Sequence, residues 1–260
     1  MTAITAEPVD AHRDRQRSAL RNLTKTEARL LTREPVPLLW GVAFPIVLLS
    51  IIGAFSHGPD KSLGGVTLVA TYVPVLIAFT ISTFALQGLS PVLAGYRERG
   101  ILRRLNATPV GAGRLLLAQL AVNLSVTLIA TAGILVVGVA AFGVPLPGQG
   151  AGFVLALFLT SAAMLTLGLL IASVARTARV AGAVGTMLFL PLMFFAGLWI
   201  PLATMPAGLR RVSEDTPLGA AVAALQHSMS GQWPSASGLA VLAGYSVVFG
   251  VLAWRLFRWE

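Results

Sequence analysis

The stretch LLLAQLAVNLSVTLIATAGILVVGVAAFGVPLPGQGAGFVLALFLTSAAMLTLGLLIASVA, residues 115–175, contains no Asp, Glu, Lys or Arg. A helix needs about 20 mostly apolar residues to cross about 30 Å of hydrocarbon, so this stretch can cross twice. The octet GVPLPGQG, 143–150, divides it, because glycine and proline interrupt a helix and favour turns. The spacing predicts spans over about 113–142 and 150–174.

Outward from this pair, the uncharged runs 35–59 and 62–96 hold spans at about 37–56 and 66–88. Two more are expected at about 179–201 and 237–256. Between these last two, residues 202–236 carry Arg210, Arg211, Glu214 and Asp215 among prolines and glycines. They are too polar for a lipid-facing span, while Leu218–Leu225 is apolar. Short interfacial or re-entrant helices fit, since irregular backbone at membrane depth must be buried in protein.

Composition agrees. The 260 residues are 56% hydrophobic and 11% charged, against roughly 45–50% and about 25% in soluble domains, and mean hydropathy is +0.81. A water-soluble enzyme and a disordered chain are both excluded. There is no cysteine, hence no disulfide and no thiolate metal site. The net charge of +9 would point to nucleic acid in a soluble protein, but the placement of the cations accounts for it without one. Seven precede Pro35, five lie between spans two and three, two between spans four and five, and two at the C-terminus; only Lys61, Arg210 and Arg211 fall opposite. By the positive-inside rule both termini are cytoplasmic. Some 35 mostly hydrophilic residues precede the first apolar run and no small-residue cleavage site follows it, so no cleavable signal peptide is expected. The chain divides into a cytoplasmic segment, 1–35, and a six-span domain, 36–260.

Residues 11–33 read as an amphipathic helix on the membrane surface. Ala19, Leu20, Leu23, Leu30 and Leu31 fall on one face and the cations mostly on the other; the alternative is a solvated basic tail. Pro35 and Pro37 stop it. The loop GYRERGILRRLNATPV, 95–110, has one acid, Glu98, among its arginines. It reads equally as a docking surface for another protein or as positive-inside charge with Glu98 pairing locally.

That loop resembles the cytoplasmic coupling segment of type-2 ABC exporter permeases, whose members carry a similar Glu-Arg-Gly…Leu-Arg-Arg-Leu…Thr-Pro pattern. A second stretch, LGLLIASVARTARVAGAVGTMLFLPLMFFAGLWIPLATMPAGLRR (167–211), is similar to the family's fourth and fifth spans, with Pro191, Phe194, Phe195, Ala196, Gly197, Pro201, Met205 and Pro206 at typical places. Thr216-Pro217-Leu218 stands where the family has Asn-Pro-Leu. The resemblance covers nearly the whole chain. It implies an all-α integral membrane fold: six transmembrane helices with an N-terminal amphipathic interfacial helix, a cytoplasmic coupling helix, and a short extracellular or re-entrant helical hairpin (202–225) before the last span. It further implies two cytoplasmic ABC ATPase subunits, which supply ATP and Mg chemistry, and a second permease subunit, identical or related.

By position, the ATPase contact comprises Arg97, Glu98, Arg99, Gly100, Ile101, Leu102, Arg103, Arg104 and Leu105. Glu98 and Arg99 are expected to orient the partner, and Ile101, Leu102 and Leu105 to pack against it. The chain itself lacks a phosphate-binding loop: its two lysines, Lys25 and Lys61, follow Thr24 and Asp60 rather than the required glycine, so no cofactor is expected in it. No Asp, Glu or Lys lies inside a span, which disfavours an ion-coupled secondary transporter. His12, His57 and His227 fall in three segments, with no metal spacing and no Ser/His/Asp grouping. Phe79, Phe84, Met187, Phe194 and Phe195 are the candidate substrate path, with lipid contact or core packing as the plain alternative for each. An amphiphilic drug, antibiotic or lipid fits such a path better than a charged solute. The expectation is a bacterial plasma-membrane exporter of the antibiotic-resistance kind, with export of a lipid-linked glycan as the second choice.

Overall fold

The computed structural model describes residues 22–30, 35–56, 58–63, 65–107 and 111–256. Residues 11–21 and 31–33 of the expected amphipathic helix, with His12 and His57, lie outside the described residues. Among the described residues, six helices are long and apolar enough to cross a membrane: Val36–Ala54, Leu68–Glu98, Ala112–Phe142, Gly150–Val174, Ala178–Phe195 and Ala236–Leu256. They are numbered spans one to six along the chain. The only strands among the described residues pair Pro59–Asp60 with Val66–Thr67 in a short ribbon between spans one and two.

Span two is the axis of the subunit. Of its apolar window 89% is buried, against 11% for span six and 17% for span one. Spans one, three, four and five pack around it, and span six lies outside, chiefly against span four. In a bilayer the hydrophobic effect does not drive helices together, so close backbone contact has to do so. Gly168 of span four and Gly185 of span five supply it. A Cβ on either would stand 2.3 Å from a span-two carbonyl oxygen, that of Ala85 or Leu86.

Those two carbonyls belong to a wide π-helical stretch, Thr83–Leu89. Span one has a similar stretch, Leu39–Ala43. Each comes just before a proline, Pro91 and Pro45 respectively, whose ring would clash with the carbonyl four residues back in a regular α-helix. Widening the turn relieves that clash and lets the helix continue. This explains why span two runs on to Glu98 rather than ending near 88: Pro91 is accommodated instead of terminating it. The serines and threonines nearby bond back to their own helix, Ser82 to the Ala78 carbonyl at 2.7 Å and Thr83 to that of Phe79 at 2.9 Å.

Span three ends at Gly143, whose φ of +65° lets the Val144 N–H reach back to the Gly138 carbonyl at 3.0 Å, a Schellman-type stop. Its buried face carries Gln119, Asn123, Thr127 and Thr131 at intervals of four, a polar stripe directed into the subunit. Span five ends at Phe195, short of 201, because the chain turns sharply at Gly197. Two helices follow, Ala207–Glu214 and Pro217–Met229, giving the expected hairpin. Thr216 caps the second by accepting from the Gly219 N–H at 3.2 Å, with Pro217 suited to the first turn. Leu218, Val222 and Leu225 are fully buried where this helix packs against spans four, six and two.

Candidate functional site

The arginine-rich end of the subunit is organised by the last turn of span two. Arg97 donates from Nη1 to the Ser173 carbonyl at 2.6 Å and from Nη2 to the Ala175 carbonyl. Glu98 accepts at Oε2 from the Ala178 N–H at 3.0 Å. A guanidinium thus meets carbonyls at the end of span four, and a carboxylate meets an N–H at the start of span five. Both signs match the helix-end partial charges. Glu98 thus has a partner within the subunit, a backbone amide of span five.

Gly100, with φ of +66°, turns the chain out of span two into a short helix, Ile101–Asn106. Leu102 is 1% exposed and packs with Ala112 and Leu115 of span three, joined by Leu23, Tyr96 and Leu105. The side chain anchors the short helix to its own subunit. Ile101 and Leu105 are half-buried, while Arg103 and Arg104 are exposed. Arg99 bonds the Gly95 carbonyl from Nε at 3.1 Å and lies 5.9 Å from the Tyr96 ring centroid.

Between spans one, two and five lies a half-open cavity of about 660 Å³. Trp40, Phe44, Phe79 and Phe189 form a continuous aromatic wall, with ring centroids 5.0, 5.2 and 5.2 Å apart in that order. The Phe79–Phe189 contact is edge-to-face, the arrangement ring quadrupoles favour. Thr83, Gln87 and Thr186 are among its few polar linings, and none of its lining residues is charged. Of the aromatic and Met residues expected on the path, Phe79 lines this cavity. Phe84 is buried against Gly41 of span one, Met187 is 74% exposed on the outer face of span five, and Phe194 and Phe195 pair with each other at the end of that span.

A second, polar pocket of about 370 Å³ lies near the arginine-rich end, lined by Glu27, Tyr96, Arg99, Gln119 and Asn123 among others. Residues 22–30 are helical, and the side of that helix turned into the subunit carries Glu27, 7% exposed. Its carboxylate accepts from the Tyr96 hydroxyl at 3.0 and 2.9 Å and from Gln119 Nε2 at 2.6 Å. Burial pushes the Glu27 carboxyl above the usual carboxylate range, and the Tyr96 hydrogen bond draws it partly back. Sequence reasoning missed Glu27, which sits among lysine and arginine in a surface-type pattern. The polar stripe on span three, Gln119 and Asn123 above all, was the signal that something polar would face it.

With this geometry the family assignment is direct. The profile of the family described as ABC-2 type transporter matches residues 18–230, and the chain belongs to that family of ABC transporter membrane subunits. No curated protein matches the chain. The family association brings an ABC ATPase and a lipid bilayer as the surroundings of this multi-pass membrane protein.

Proposed function

We propose that the chain is the permease subunit of an ATP-driven exporter of amphiphilic compounds, drugs, antibiotics or lipids. It would sit in a bacterial plasma membrane with both termini cytoplasmic. Two ABC ATPase subunits would dock on the arginine-rich end and a second permease subunit would pair with this one. The observation that carries this reading is the uncharged, aromatic-walled cavity of about 660 Å³, which suits a partly apolar guest and offers nothing to a highly charged solute.

The coupling route follows from the site. ATP closure of the partner subunits would press on the exposed arginines of Ile101–Asn106. Because Leu102 ties that helix to span three, and Arg97 with Glu98 tie the end of span two to the turn between spans four and five, the displacement reaches several spans at once. Alternating access then requires only that ATP stabilise one arrangement of these spans over another.

Purification of the chain in mild detergent from its native membrane tests the proposal. A stoichiometric partner carrying a phosphate-binding loop, with ATPase activity stimulated by amphiphiles, is expected. Reproducible purification of the chain alone in several detergents would overturn it.

A further inference from the structure

The polar pocket is built around a buried carboxylate, Glu27. Glu27 is more than nine-tenths buried, yet its partners are a phenol and an amide, both neutral. No ion pair to it is seen among the described residues. Arg99 lines the same pocket and keeps its charge, but its Nε is turned to the Gly95 carbonyl and the carboxylate's own partners are Tyr96 and Gln119. Buried charges are ordinarily paired, so a carboxylate that is oriented but not neutralised is a site prepared for a cation. The orientation is itself supported: Asn123 Nδ2 donates to the Gln119 carbonyl at 2.8 Å, steadying the residue that holds Glu27. A metal ion is a poor match, because no group of three or more His, Cys, Asp or Glu with metal-binding geometry exists among the described residues. An organic cation matches better. Gln87 lines both this pocket and the aromatic cavity, so a charged head here leaves an apolar body beside Trp40, Phe44 and Phe79.

We propose that this pocket receives the ammonium group of an amphiphilic amine, with Glu27 as its counter-ion and the aromatic cavity taking the apolar part. The direction of movement rests on the exporter reading; the binding does not. The ammonium group could belong to a solute or to an aminolipid of the bilayer, and the two are separable.

The test uses the permease with its ATPase in phosphatidylcholine nanodiscs, titrated with dansyl-tagged dodecylamine and with its N-acetylated, uncharged counterpart, each corrected for empty discs. The amine should bind about tenfold more tightly, the scale of one charge-assisted contact. In Glu27→Gln the two probes should come within about twofold. Gln87→Arg, at a half-buried position, should weaken the amine selectively, and it serves if Glu27→Gln does not fold. Equal affinities in the wild type, or an amine preference that survives in either folded variant, would overturn the proposal. Adding phosphatidylethanolamine should displace the amine probe if the natural occupant is an aminolipid, and leave its affinity unchanged if it is a solute. Because binding needs no ATP, it is separate from export. An intact amine preference without ATP-driven flux overturns only the exporter reading, and ATP-driven flux of a neutral amphiphile without amine preference overturns only the site.

Discussion

Arg97 and Glu98, neighbours at the end of span two, grip the two sides of one turn: Arg97 binds the carbonyls of Ser173 and Ala175 that close span four, and Glu98 binds the Ala178 N–H that opens span five. Adjacent residues of opposite charge thereby join three spans at the end where force from an ATPase would arrive. Their sequence position alone reads as a charged loop, but their hydrogen bonds make them a fastening within the subunit.

The fastening distinguishes charge from hydrogen-bond acceptance. Glu98→Gln keeps an acceptor for the Ala178 N–H, whereas Glu98→Ala removes it and should cost about 0.5–2 kcal/mol, as lost helix caps do. Arg97→Ala leaves two carbonyls without their donor and should cost about 1–3 kcal/mol. In thermal unfolding of the purified protein, Glu98→Gln should therefore stay near the wild type while the two alanine variants fall. Equal losses for Glu98→Gln and Glu98→Ala would show that the charge, not the cap, is what counts.

Close approach of spans four and five to span two gives a sharper expectation. Gly168→Ala and Gly185→Ala would each drive a methyl to 2.3 Å from a backbone oxygen, a clash that no rotamer change relieves. Losses of about 2 kcal/mol or more are expected, since whole helices must shift. Gly244→Ala on span six meets nothing within 4 Å, and should be neutral or gain up to about 1 kcal/mol from helix propensity. Unfolding midpoints in detergent, with monodispersity by gel filtration, decide this; a Gly185→Ala protein as stable as Gly244→Ala would refute the packing.

Six spans were legible because uncharged runs of bilayer length leave no other fate. What escaped was continuity across a proline. A span matched to bilayer thickness stops near 88, yet Thr83–Leu89 widens and carries the helix through Pro91 to Glu98. Nothing in hydropathy reports a π turn. Leu102 was equally opaque: Ile101, Leu102 and Leu105 form one small apolar patch in sequence, and only the approach of Ala112 and Leu115 shows that Leu102 faces inward. Glu27 was hidden by its lysine and arginine neighbours, because an acid in a basic helix reads as solvated until Tyr96 and Gln119 are seen to close over it.

The inward turn of Leu102 leaves Arg103 and Arg104 as the exposed charge of the short helix. The double variant Arg103→Glu, Arg104→Glu should keep its unfolding midpoint, since exposed substitutions of this kind usually stay within about 0.5 kcal/mol. Co-purification of the ATPase should fall steeply, because like charge across a docking surface is strongly unfavourable. Undiminished recovery of the ATPase with the double variant would place the contact elsewhere.

The buried carboxylate makes stability depend on pH in a direction opposite to that of a salt-bridged acid. Below the ordinary carboxyl range, near 4.5, folded and unfolded chains both hold the Glu27 proton and the group imposes no penalty. As pH rises, the unfolded chain ionises first while the folded chain retains its proton. The folded state then binds more protons, and stability falls with pH until Glu27 has ionised in the fold as well, after which it is flat. The groups facing Glu27 do not blur this window. Span two presents the Tyr96 phenol and the Arg99 guanidinium, and span three the neutral Gln119 and Asn123, none of them a carboxyl or an imidazole. In Glu27→Gln, Tyr96 retains an acceptor and the titration is gone. The unfolding midpoint of the wild type, measured relative to Glu27→Gln from about pH 4 to 8, should therefore decline as pH rises through and above 4.5. A difference that is constant, or that grows in favour of the wild type toward neutral pH, would mean that Glu27 is stabilised as an anion by charge already within the fold.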